Sequence, residues 1–93
     1  MKESSIERWI RQQVVRSGGL FLKWVSPGNE GVPDRICILP DGRIIFVELK
    51  TESGKLSEVQ KYQIRRLRER GCRVEVIFGM AGAGRFMSEI YSA

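Results

Sequence analysis

Histidine is absent from this 93-residue chain. That absence removes Ser-His-Asp hydrolysis, Cys-His proteolysis, histidine-ligated zinc and histidine-based nuclease chemistry. Any acid, base or metal ligand must therefore be Asp, Glu, Lys or a backbone group. Cysteine is scarce: Cys37 and Cys72 are the two present, too few for a disulfide framework and without the paired spacing of a zinc site. Both read as small buried apolar residues. Long apolar runs are missing too, since none approaches the roughly 20 residues that cross a bilayer. The opening stretch MKESSIERWI lacks the hydrophobic segment of a secretory signal, so no membrane association is expected and an intracellular, soluble protein is.

What is plentiful is positive charge. Sixteen Lys and Arg against 11 Asp and Glu leave a net charge of +5 and a pI near 9.7, which favours a polyanionic partner. On its own this bias is shared by many small proteins that bind no polyanion. Compact domains usually span about 50 to 250 residues, so residues 1–93 are expected to form a single domain. At this size only about 60 to 65 per cent of the unfolded surface is buried, and association with a second copy would add stability.

Residues 5–16 carry Ile6, Trp9, Ile10, Gln13 and Val14 at helical spacing, with Ser4 or Ser5 as N-cap and Gly18-Gly19 as the stop. Leu20 to Ser26 reads as a first strand and Pro27 to Pro33 as a turn-rich loop. Two apolar runs, Asp34 to Leu39 and Arg43 to Lys50, flank Pro40-Asp41-Gly42 and predict a hairpin: a type I turn followed by glycine in a G1 bulge. Leu39 then faces Arg43. Counting back along that register pairs Ile38 with Ile44, Ile36 with Phe46, and Asp34 with Glu48, all on one face. Ser57-Glu58-Val59-Gln60 is a capping box opening a helix through Arg70, with Gly71 as its stop and Val59, Ile64 and Leu67 as its buried side. Cys72 to Phe78 is a further strand, and Gly79 to Gly84 is expected to be a loop before a short terminal helix with Phe86, Met87 and Ile90. The order is α-β-β-β-α-β-α, an α/β fold.

Glu48 and Lys50 stand two apart on a strand and so share a face, which the hairpin register extends to Asp34. Facing carboxylates repel unless a cation lies between them. Magnesium, which takes one or two carboxylates and retains waters, suits this arrangement, with the Leu49 backbone carbonyl as a further oxygen. Such a cation eases deprotonation of water and stabilises charge developing on a phosphate; Lys50 would orient the attacking water or neutralise that phosphate.

These residues carry a resemblance. Val32-Pro33-Asp34, then thirteen residues, then Glu48-Leu49-Lys50 resembles the PD-(D/E)xK nucleases, whose core is also helix, three strands, helix, strand. The longer set Gly31-Val32-Pro33-Asp34-Arg35, Val47-Glu48-Leu49-Lys50, Gly54-Lys55-Leu56-Ser57 and Gln60 is similar to the VRR-NUC (virus-type replication-repair nuclease) branch, over nearly the whole chain from Glu7 to about Phe78. The resemblance implies a restriction-endonuclease-like core, a mixed sheet flanked by helices, and phosphodiester hydrolysis. It implies Asp34 and Glu48 as ligands of Mg2+ or Mn2+, Lys50 as catalytic lysine, Glu7 as an additional acidic site residue, and Gln60 beside the site. It further implies DNA as substrate, including branched DNA such as four-way junctions, and the homodimer of minimal phage and prophage members, acting in the cytoplasm of a bacterial or phage-infected cell.

Plainer explanations stand beside these roles. Asp34 after Pro33 suits an ordinary turn, and Gln60 is already explained as the capping-box partner. A first-turn glutamate such as Glu7 favours any helix, and Glu3 competes for the same role. Lys23, Lys55, Lys61 and Arg65 are candidate DNA contacts, although basic helix faces are often simply solvated. Trp9 and Trp24 read as core or subunit-interface residues. The rival function is a non-catalytic DNA-binding module retaining the nuclease fold. Such a relic is expected to have lost Asp34, Glu48 or Lys50, and all three are present. A purely structural interaction protein is the third class.

Overall fold

The computed structural model describes residues 1–92. Its elements are α1 (Glu3–Arg16), β1 (Leu20–Lys23), β2 (Arg35–Ile38), β3 (Ile44–Lys50), α2 (Glu58–Glu69), β4 (Arg73–Phe78) and α3 (Gly79–Tyr91). The expected order holds. The strands form one sheet in the order β1-β2-β3-β4, antiparallel through β3 and then parallel between β3 and β4.

The hairpin turn sets the register as its residues require. Gly42 adopts φ +90°, its N–H donates to the Leu39 carbonyl, and the Leu39 N–H donates to the Arg43 carbonyl, both at 2.9 Å. Ile38 consequently pairs with Ile44 and Ile36 with Phe46. Alternation then divides β3 between two surfaces. Ile45, Val47 and Leu49 are buried against Ile6, Ile10 and Val14 of α1 and Ala83, Phe86 and Ile90 of α3. Phe46, Glu48 and Lys50 face the other way, where their β4 neighbours are Val74, Val76 and Phe78 and where α2 packs on β4.

Five expectations change. The first helix starts at Glu3 with Lys2 in the cap position and no side-chain cap, so neither Ser4 nor Ser5 caps it; burial of Ile6 rather than a hydroxyl fixes the start. β1 stops at Lys23 instead of Ser26, because β2, its sole neighbour, begins at Arg35. Val59 is exposed, and Gln63 with Ile64 forms the buried side of α2. The glycine-rich stretch is helical: Gly79, Gly82, Ala83, Phe86 and Ile90 form the buried face of α3. Its small residues hide the helical period; a Cβ on Gly82 would make only ordinary contact, 3.5 Å from Ile77. Cys37 is fully buried, whereas Cys72 is only partly so.

The loop before β2 is docked on α2. Gln63 donates to the Glu30 carbonyl at 3.0 Å, and Gly31, at φ +83°, lies so close that a Cβ would be 2.8 Å from the backbone of Val59. Gly31→Ala therefore combines a left-handed backbone with a backbone clash. It should destabilise the fold by about 1–3 kcal/mol in urea unfolding, whereas Gly28→Ala, with open space around it, should cost less.

Candidate active site

Asp34 immediately precedes β2, and one step beyond the Arg35–Val47 pair sets it opposite Glu48. The Trp24 N–H, just past the end of β1, fixes the Asp34 carbonyl at 2.9 Å. From β3, the Leu49 N–H reaches Asp34 Oδ1 at 3.4 Å. In a strand the N–H and C=O of one residue point to the same edge, so the Leu49 carbonyl also faces β2. The register position opposite it is Pro33, which has no N–H to donate. Proline thus leaves that oxygen without a ladder partner.

Glu48 is 5% exposed. Gln60 Nε2 donates to its Oε2 at 3.4 Å, and Lys50 Nζ lies 3.9 Å from the same oxygen. Gln60 is held for this by the capping box: its Oε1 accepts from the Ser57 N–H at 2.9 Å while Ser57 Oγ accepts from the Gln60 N–H at 3.1 Å. One amide therefore closes the helix cap with its oxygen and meets the buried carboxylate with its nitrogen.

Burial, then the neighbouring Asp34 charge, pushes the Glu48 carboxyl up to about 7; Glu3 pushes the same way and Lys50 opposes. Asp34 is also raised, chiefly by burial, against the lowering effects of Arg35, the Leu49 N–H and Lys50. Among the described residues no group of three or more His, Cys, Asp or Glu side chains converges as a metal cluster. The donor set is two mutually repelling carboxylates, Glu48 buried and Asp34 part-exposed, and one backbone carbonyl without a ladder partner. This fits magnesium or manganese, which accept few carboxylates and keep several waters.

The remaining candidates divide. The Glu7 carboxylate, 13% exposed, pairs with Arg11 Nη1 at 3.3 Å and Arg35 Nε at 3.7 Å. Glu3, at the start of the same helix, is the α1 acid whose charge acts on Glu48. Lys23 is exposed at the end of β1 beside Arg35. Lys55 is exposed in the loop after β3. Lys61 pairs with Glu58 at 3.3 Å, and together with Arg65 and Arg68 it lines a groove of about 440 Å³ between α2 and β4. Arg35 was visible in the sequence only as the end of a motif. Alternation marks it: opposite Val47, it points to the α1 side, where an isolated cation needs an acid.

Comparison with known proteins gives concordant matches. The family model described as VRR-NUC domain matches residues 2–81. A phage protein described as "Putative nuclease p44", from Acyrthosiphon pisum secondary endosymbiont phage 1, is 43% identical over 77 residues, covering 83% of each chain. A solved structure described as a VRR_NUC domain superposes with a TM-score of 0.88 at 31% identity, covering 96% of this chain and 97% of the other. The mixed sheet and its helix order are those of that structure.

The raised Glu48 carboxyl fixes the sign of a pH effect. Folding tightens its hold on a proton, so the metal-free protein has this stabilisation in full below 4.5 and loses it as pH rises to about 7. At about 1.4 kcal/mol per pH unit of displacement, the loss is on the order of a few kcal/mol. Melting of metal-free wild type relative to Glu48→Gln should fall across that interval. A difference between the two that stays constant with pH would contradict the assignment.

Proposed function

We propose, from the premise that this chain belongs to the VRR-NUC domain family, that it is a divalent-metal-dependent endonuclease hydrolysing phosphodiester bonds in DNA. The observation that carries this reading is the pairing of Asp34 with buried Glu48 at the end of a hairpin, with Lys50 Nζ 3.9 Å from Glu48. Asp34, Glu48 and the Leu49 carbonyl would hold Mg2+ or Mn2+, with Glu3 or Glu7 of α1 as the further acid. When bound, that ion activates water and stabilises negative charge on a phosphate. Lys50, 18% exposed on its side chain, presents its ammonium to the reacting phosphate. Gln60 keeps the Glu48 carboxylate oriented. Lys50 and Gln60 both meet Oε2 of the Glu48 carboxylate.

The net charge of +5 supports a DNA substrate. Val76, the register neighbour of Glu48, lies in the groove with Lys61 and Arg65, so the basic face of α2 leads from the site. With Lys23 and Lys55, these residues are assigned as phosphate contacts, which position a duplex without reading its sequence. No helix among the described residues is long and apolar enough to cross a membrane, and the protein is assigned to the cytoplasm, where DNA is accessible.

A homodimer is part of the reading. Leu20 and Leu22 on β1 and Ile44 on β3 are exposed, and between them lie half-buried Ile36, Ile38 and Phe46, with Trp24 against Phe46 at 5.1 Å. This uncharged sheet face lies beyond the β4 strand on which α2 packs, and an exposed apolar patch of this kind marks an interface. A dimer carries two sites, which suits branched DNA such as a four-way junction with two strands to cut.

Two results would test these statements. Lys50→Ala should still fold, with melting lowered by loss of the Glu48 ion pair, and lose at least about 100-fold in cleavage, and Glu48→Ala should abolish calorimetric Mn2+ binding. Purified wild type with Mg2+ or Mn2+ that cuts no duplex, flap, single-stranded or junction DNA would remove the nuclease reading. Separately, Leu22→Arg should convert a dimer to a folded monomer in sedimentation equilibrium; a wild-type monomer at every concentration would exclude the sheet-face interface.

A further inference from the structure

We propose that Glu7 and Arg35 form a positioning pair that fixes the Asp34 carboxylate, so that Glu7 acts on the site through Arg35 without touching the metal. Arg35 projects to the α1 side of the sheet, opposite Val47, and its side chain is 18% exposed. Its guanidinium spans two elements. Nε lies 3.7 Å from Glu7 Oε1, while Nη1 donates to the Asp34 carbonyl at 3.0 Å and lies 3.9 Å from Asp34 Oδ2. The other carboxylate oxygen, Oδ1, accepts the Leu49 N–H at 3.4 Å. Asp34 is thus held from both sides, by β3 backbone at one oxygen and by Arg35 at the other.

A guanidinium on a flexible stem needs an anchor of its own, and its planar fork presents donors to two partners in a fixed geometry, whereas an ammonium acts as a compact point charge. Glu7 supplies that anchor from the second turn of α1 and is itself steadied by Arg11 at 3.3 Å. Glu3 lies one turn nearer the helix start, and its charge is felt at Glu48. The two acids of α1 therefore serve different partners.

The inference rests on the metal-site reading above, and the test separates them. Mn2+ binding by calorimetry, steady-state cleavage and thermal melting are measured for wild type, Glu7→Gln, Arg35→Gln, Arg35→Lys and the Glu7→Gln/Arg35→Gln double variant. Each single Gln variant should weaken Mn2+ binding by roughly 10- to 100-fold and lower kcat with KM for DNA unchanged. The double variant should be no worse than Arg35→Gln, and Arg35→Lys should recover only part of the loss. Losses that multiply in the double variant would overturn the proposal in favour of direct metal contact by Glu7. Lower melting with Mn2+ affinity unchanged would overturn it in favour of a purely structural ion pair. Wild type that neither binds Mn2+ nor cuts DNA removes the nuclease reading and this inference with it; wild type that does both, with Glu7→Gln indistinguishable, removes this inference alone.

Discussion

Two carboxylates set side by side, one of them buried, are the constraint around which this small domain is arranged. Isolated, Asp34 and Glu48 would each be ordinary surface carboxylates. The β2–β3 register brings them together, and burial of Glu48 strengthens the repulsion between them. A fold tolerates such a pair only when the surroundings supply compensating groups. Here they are Lys50 and Gln60 at Glu48, and Arg35 and the Leu49 N–H at Asp34. In the proposed metal site, what these groups leave uncompensated would be the attraction offered to a divalent ion.

The rest of the architecture brings its helix beginnings to that same end of the sheet. α2 starts with Gln60 in its first turn against Glu48. α3 starts directly after Phe78, the register neighbour of Lys50, and α1 carries Glu3 at its first position, within electrostatic reach of Glu48. Helix N-termini carry partial positive charge, so the ends gathered here suit carboxylates and phosphates alike. Gly31 matters for this geometry because the loop leading to Asp34 lies directly on the first turn of α2, tying Asp34 and Gln60 to one surface.

Where local chemistry decided structure, the sequence was legible. Pro40-Asp41-Gly42 dictates its own turn, and Ser57 with Gln60 dictates its own cap; from these came the hairpin register and the α2 start, and hence the neighbours Asp34, Glu48, Lys50 and Gln60. Where tertiary packing decided, it was not. The glycines of α3 read as a loop because their helical period is written in residues too small to look apolar, and only the sheet beneath them makes that face a buried one. The cap of α1 was misplaced because hydrophobic burial, not a serine hydroxyl, sets its beginning. Arg35 was passed over because its partner, Glu7, lies 28 residues away in sequence (35 − 7), a distance no local pattern spans.

The same two-residue alternation that creates the site also limits how much of this sheet can be buried. Along β3, one set of side chains enters the core between α1 and α3, and the other runs from exposed Ile44 through Phe46 to Glu48 and Lys50. A helix laid across the whole of that second face would cover the apolar residues but would also close over the carboxylates and exclude a polymeric substrate. α2 instead packs on β4, reaching Glu48 with its first turn and leaving β1 and β2 bare. In the proposed homodimer a second copy would shield the bare apolar residues with a self-complementary surface. On this argument an open site and an unpaired apolar sheet face have one cause: a single short helix cannot cover both ends of the surface that the hairpin register produces.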